Sequence, residues 1–170
     1  MRTRRARMED VEAIAGLIEH YAAEGLLLAR SREEIRAGLD RFLIVIDGGK
    51  IAGCVALEGY GTGLAEIRSI AVDPAAHGKG LGARLLRAAM EEAQRRGYAR
   101  VFAMTQTREF FLHHGFRTAE RETLPEKIER DCRQCPHAAG CRLEAVATTV
   151  VMRQASLPAP SRKPVLPLLP

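Results

Sequence analysis

The sequence contains no tryptophan, five phenylalanines and three tyrosines, so aromatic residues make up only 5% of its 170 positions. A platform that stacks nucleobases needs more aromatic surface than this, and no nucleic-acid-binding motif is present, so nucleic acid is not an expected partner. No long uncharged apolar run occurs, which excludes a membrane-spanning helix and a membrane partner. The arginine-rich start, RTRRARMED, lacks the apolar segment of a secretory leader, and the expected location is cytoplasmic. Two familiar phosphate loops are also missing: there is no GxxxxGK[ST], and the glycines after His77 do not fall as GxGxxG.

What is present suffices for one buried core, since 46% of the residues are hydrophobic. A formal net charge of +5 suits an anionic ligand. Five of the eight prolines fall after Arg153 in a stretch without periodicity, which predicts a domain over residues 1–152 and a proline-rich disordered tail over 153–170.

Residues 2–7 read as a first strand, and Val11, Ile14, Leu17, Ile18 and Tyr21 trace one face of a helix. Ser31 with Glu34 forms a capping box that announces a second helix with Ile35 and Leu39 inward. Between them, residues 25–31 make a loop apolar enough either to fold over a ligand or to pack on the core. Three strands follow, at 42–46, 50–58 and 64–72, the first two joined by the tight turn Asp47-Gly48-Gly49. A helix over 80–96 then leads to a strand at 100–105, which a helical crossover places parallel to its predecessor. A short helix at 110–116, a polar segment at 120–143 and a strand at 144–152 complete the order. The expected class is α/β (α+β): a mixed, mostly antiparallel central sheet flanked by helices.

Residues 65–86 carry most of the chemistry. An apolar strand ends at Asp73-Pro74, and the segment Gly78-Lys79-Gly80-Leu81-Gly82 opens the next helix. Glycines let the backbone approach a ligand, and the first N–H groups of a helix lack internal partners, so a phosphate or pyrophosphate suits this position, with Lys79 and Arg84 near enough to assist. The plain alternative is an ordinary strand-to-helix loop.

The run His77-x-x-Gly80-x-Gly82 after AVDP, followed by Phe110-Phe111-x-x-x-Gly115-Phe116, resembles the two motifs of the GCN5-related N-acetyltransferases, the GNAT superfamily. The resemblance implies the GNAT fold and acetyl-CoA as cosubstrate, held by Ile70, Ala71, Val72, His77, Gly78, Lys79, Gly80, Leu81 and Gly82. His77 stands where the family usually has glutamine or arginine, and Phe111 where many members have the tyrosine that protonates the departing thiolate. Tyr60 is a substitute hydroxyl, or the thiolate leaves without an acid. Residues 27–33 through Phe42, the Glu66 strand, and Leu124-Pro125-Glu126-Lys127 are similar to the acetyltransferase domain of bacterial N-acetylglutamate synthases in their short, single-domain form. That similarity implies direct acetyl transfer in a ternary complex to the α-amine of L-glutamate, the first step of arginine biosynthesis. Transfer to another amine, such as a protein amino terminus or another amino acid, and a non-catalytic acetyl-CoA sensor are the alternatives.

An ammonium cannot attack a thioester until it loses a proton, and Glu66 is the candidate base, unless it merely pairs with Arg68. Recognition of the glutamate carboxylates falls to Arg30, Arg68 and Lys127. Strand alternation is expected to put Glu66, Arg68 and Ile70 on one face. Cys132, Cys135, His137 and Cys141 offer enough donors for a structural zinc site, with reduced packing cysteines as the alternative. Cys54 reads as a core residue. The oligomeric state, a homodimer included, is left open by the sequence.

Overall fold

The computed structural model of the chain describes residues 1–61 and 63–150. The expected continuation of the last strand to Met152 and the proline-rich segment 153–170 lie outside the described residues. Strand β1 (Arg2–Arg5) pairs antiparallel with β2 (Phe42–Asp47), β2 with β3 (Lys50–Tyr60), and β3 with β4 (Leu64–Val72). The β2–β3 hairpin turns on Gly48 and Gly49, both at positive φ (57° and 82°), the backbone that matches the twist of the flanking strands. The next strand, β5 (Arg100–Thr105), lies parallel to β4. Strand β7 (Glu144–Thr149) inserts between β5 and the two-residue β6 (Arg117–Thr118), giving the sheet order β1-β2-β3-β4-β5-β7-β6.

Among the described residues, five α-helices flank this sheet. On one face, α3 (Leu81–Arg95) lays Leu81, Leu85, Ala89 and Ala93, a stripe at four-residue spacing, against Val55, Leu57, Ile67 and Val101. Helix α4 (Arg108–Leu112) packs beside it through Phe111. On the other face, α1 (Val11–Ala23) and α2 (Arg32–Ala37) set Ile14, Ile18 and Ile35 against Ile44, Cys54, Ala56 and Ala71. The capping box of α2 forms as expected: Ser31 Oγ accepts from Glu34 N at 3.1 Å, and Glu34 Oε2 accepts from Ser31 N at 2.7 Å. Farther along the same face, Leu124, just ahead of α5 (Pro125–Arg130), covers Tyr60, Leu64, Phe102 and Ala145. The middle of β4 runs between these two covers. Helix α5 had no periodic signature because it has six residues, too few to repeat an apolar stripe.

Strand β4 departs from simple alternation. Arg68 faces Ala56 and Ala71 faces Cys54, so Ser69 and Ile70 together oppose Val55, a bulge with Ser69 at φ 48°. The extra residue reverses the phase of the strand. Ile70 therefore packs with Ile67 on the α3 face, and Ala71 joins the α1 side, instead of the expected row of Glu66, Arg68 and Ile70. No helix among the described residues is long and apolar enough to cross a membrane.

Glu92 on α3, with its side chain 1% exposed, receives Arg5 at 2.6 Å, Arg95 at 2.6 Å and Arg96 at 2.7 Å. Burial pushes this carboxyl up, but the Arg95 and Arg96 hydrogen bonds outweigh it and hold the group below its ordinary value. A carboxylate depressed in the folded state contributes stability at neutral pH that is lost as pH falls through its folded value. Glu92→Gln is expected to cost about 2–3 kcal/mol at pH 7 in urea denaturation. The gap from the parent should narrow below about pH 4.

Candidate active site

Strands β4 and β5 pair only at Leu64–Arg100, Ala65–Val101 and Glu66–Phe102. From Ile67 to Val72, β4 has no pairing with β5, and the two strands bound a wedge. The chain leaves β4 through a turn in which Asp73 Oδ1 accepts from Ala75 N at 2.9 Å. It enters α3 through Gly78 and Gly80, at φ 78° and 70°. Gly80 caps α3 in the left-handed conformation with no side-chain hydrogen bond, so the first N–H groups of the helix have no side-chain cap. They border a cleft of roughly 500 Å³ that Val72, His77, Gly80, Gly82, Phe110 and His114 also line. An uncapped helix start of this kind is a site for an anion. A Cβ on Gly82 would lie 3.3 Å from the Phe110 ring, so glycine permits the close approach of α4 at this point.

The side chains of the loop have partners elsewhere in the fold. His77 Nε2 lies 2.7 Å from the Tyr21 hydroxyl and 3.3 Å from the Val72 carbonyl, which itself accepts from Tyr21 at 2.5 Å, so His77 ties the loop to α1. Lys79 pairs with Asp47 at 2.9 Å on the β2–β3 hairpin. Arg84 donates to Thr3 Oγ1 at 3.2 Å and to the Met1 carbonyl at 3.3 Å. Both cations, expected beside the loop, have these partners in the ligand-free chain, and the backbone N–H groups at the helix start have no side-chain cap.

On the opposite face, at the vertex of the wedge, sits a charged cluster. Glu66 Oε2 accepts from Arg68 Nε at 2.5 Å, from Lys127 Nζ at 2.9 Å and from the Tyr60 hydroxyl at 2.8 Å. Asp131 Oδ2 accepts from Lys127 Nζ at 2.8 Å, from Tyr60 at 2.5 Å and from the Arg68 guanidinium. One phenolic proton serves one of these carboxylates at a time. Burial would raise the Asp131 carboxyl, but bonds from Lys127 and Tyr60 and the charge of Arg68 carry it well below the usual range. Burial, with the Glu66 charge and the Asp131 bond, pushes the Tyr60 phenol far up. Arg130 lies over the Tyr60 ring at 3.6 Å.

Arg68 and Lys127 are thus brought together on Glu66, while Arg30 donates from its loop to Ser69 Oγ on the bulge at 3.2 Å. The loop carrying Arg30 packs Leu27 on the α1–α2 core and receives Gln106 on the Gly25 carbonyl at 2.6 Å. Asp131 escaped sequence reasoning, although its position four residues after Lys127 was the available signal. Phe111 is buried, edge-on to Phe110 and Phe116, and brings no hydroxyl.

The expected zinc site is not supported. Among the described residues no group of three or more histidine, cysteine, aspartate or glutamate side chains is placed to hold a metal. Successive turns, Cys135 N to Cys132 O, Ala138 N to Cys135 O and Cys141 N to Ala138 O, wind the segment without converging its donors. A guanidinium stands where a metal would compete, since Arg121 Nη2 donates to Cys141 Sγ at 3.1 Å. Cys54 is buried, with its thiol pushed up to about 12 by burial, as befits a core residue.

The profile of the Acetyltransferase (GNAT) family matches residues 9–116. An uncharacterised N-acetyltransferase of Chlorobaculum tepidum is 37% identical over 147 residues, covering 86% of this chain and 95% of that protein. The amino-acid acetyltransferase of Neisseria meningitidis is 38% identical over 132 residues, 76% of this chain but only 30% of the relative. Among solved structures, the N-acetylglutamate synthase of Neisseria gonorrhoeae, complexed with coenzyme A and N-acetyl-glutamate, superposes with a TM-score of 0.78 at 30% identity. That match covers 88% of this chain and 35% of the synthase.

Gly82→Leu is expected to weaken coenzyme A binding about tenfold or more by driving Phe110 from the helix start, a loss of about 1.4 kcal/mol. Isothermal titration calorimetry measures it. Unchanged affinity would mean that this cleft does not hold the ligand.

Proposed function

The chain belongs to the acetyltransferase (GNAT) family, and we propose that it transfers the acetyl group of acetyl-CoA to the α-amine of L-glutamate. Such a reaction is the first step of arginine biosynthesis, and a cytoplasmic setting suits it. One observation carries the choice of acceptor: Arg68 and Lys127, from different elements, converge on carboxylates at the vertex of the wedge, with Arg30 on the adjoining bulge. Two carboxylates on the acceptor match such cations better than a neutral side chain does. The similarity to amino-acid acetyltransferases supports the same reading.

In this proposal the N–H groups at the start of α3 take the pyrophosphate of coenzyme A. The backbone of Ile70, Ala71 and Val72, facing the wedge, takes the pantetheine arm and the acetyl carbonyl, whose developing negative charge N–H donors stabilise. Bound acetyl-CoA supplies an activated acetyl thioester. The acceptor carboxylates engage Arg30, Arg68 and Lys127, and Glu66 takes a proton from the acceptor ammonium, which frees the neutral amine to attack the thioester. At present Lys127 and Arg68 occupy Glu66 Oε2. A substrate carboxylate that draws those cations toward itself opens that oxygen to the proton, which couples acceptor binding to base catalysis. The leaving thiolate needs no dedicated acid, because a thiol pKa of about 8.5 makes it a tolerable leaving group.

Thiol release from acetyl-CoA, followed with L-glutamate, L-glutamine, L-aspartate and a short peptide, tests the acceptor. Release is expected to be fastest with L-glutamate, and release with the peptide alone would overturn the reading. Glu66→Gln is expected to lower kcat about 100-fold while coenzyme A still binds. A kcat equal to that of the parent would remove Glu66 from proton transfer. Lys127→Ala is expected to raise the KM for L-glutamate about tenfold or more, since a charged hydrogen bond to the acceptor is lost.

A further inference from the structure

The two cations that the acceptor side offers to a carboxylate are already holding one supplied by the chain itself. Asp131 closes α5, and Lys127, four residues earlier, donates to its Oδ2 at 2.8 Å. Tyr60 from β3 donates to the same oxygen at 2.5 Å, Arg68 from β4 adds its guanidinium, and Arg130 Nε reaches Oδ1 at 3.2 Å. Four donors from three elements thus surround a single side-chain carboxylate.

The two anions that share these cations differ in their access to water. The Glu66 side chain is 4% exposed, and Asp131 is 28% exposed at the end of a six-residue helix. A carboxylate already in contact with solvent recovers its hydration by a small rotation, whereas Glu66 has no such route. Of the two, Asp131 is the one able to leave.

We propose that Asp131 is a resident stand-in for the acceptor's carboxylate: it fills the Arg68–Lys127 site in the free protein and is displaced by a carboxylate-bearing acceptor. It therefore determines acceptor affinity and charge preference, an inference that rests on the acceptor side assigned above. Exchange of one carboxylate for another keeps both cations paired. An amine without a carboxylate cannot make that exchange, and for it the site stays closed. The arrangement reduces the apparent affinity for every acceptor by the share of molecules in which Asp131 is seated.

Asp131→Asn keeps the shape of the side chain and removes its charge, and Asp131→Ser removes most of its reach as well. Both are expected to lower the KM for L-glutamate about tenfold, by releasing the two cations from their internal partner. In a separate thermal-shift titration without acetyl-CoA, sodium acetate should raise the Tm of either variant at concentrations about fivefold or more below those the parent needs, with sodium chloride as the ionic-strength control. A purely architectural Asp131 gives the opposite sign: KM rises in both variants, and acetate acts on variant and parent alike. That result overturns the proposal. The acetate arm needs no acetyl transfer. If the parent releases no thiol with L-glutamate yet acetate binds the variants more tightly, the glutamate reading falls and the stand-in remains. If glutamate is a substrate but neither KM nor the acetate midpoint improves, the stand-in falls alone.

Discussion

Past Glu66, strand β4 is bonded to β3 on one side and parts from β5 on the other. Both halves of the candidate site depend on that half-paired strand. A β-strand with an open side presents a row of unpaired N–H and C=O groups, normally a liability that a protein covers. Here α3 and α4 stand beside the opening, and the bulge at Ser69 turns the strand so that Ile67 and Ile70 both pack toward α3. The open edge becomes a place where an extended polar ligand can add to the sheet. The side chains of Glu66 and Arg68, before the bulge, point to the opposite face and meet Lys127 and Asp131.

The fold was largely legible because its elements announce themselves locally. The capping box at Ser31 and Glu34, the Gly48-Gly49 turn and the bounds of β4 and β5 all follow from residue chemistry within a few positions. The bulge was not legible, since nothing in the residues 66–72 distinguishes a strand that alternates from one that slips by a residue at Ser69. The glycine-rich entrance to a helix was legible, but the resting partners of Lys79 and Arg84 were not. Their partners, Asp47 and Thr3 on strands and the Met1 carbonyl just before β1, lie far away in the chain. The same limit applied to Asp131, whose meaning arises only when α5 is laid against β3 and β4.

The cluster around Glu66 and Asp131 shows how local charge is balanced. Two carboxylates, Glu66 and Asp131, stand against two cations, Arg68 and Lys127, with the Tyr60 hydroxyl between them and Arg130 over its ring. Removal of either cation would leave a buried or half-buried anion without its partner, which is costly in a medium of low dielectric. Such a network fixes the geometry of its members while leaving its total charge near neutral. The cysteine segment that follows carries no comparable constellation and reads as a wound connector to β7.

Helix α3 is fastened along its length: Arg84 to β1, Glu92 to Arg5 on the same strand, and Leu81, Leu85, Ala89 and Ala93 to the sheet. Its opening N–H groups are therefore aimed before any ligand arrives, and the entropy of aiming them has been spent in folding instead of at the moment of encounter. The two halves of the site consequently meet their ligands on different terms. On the proposed reading, the cofactor half is preorganised and binds by simple complementarity, whereas the acceptor half first exchanges partners, so its selectivity is exercised through competition.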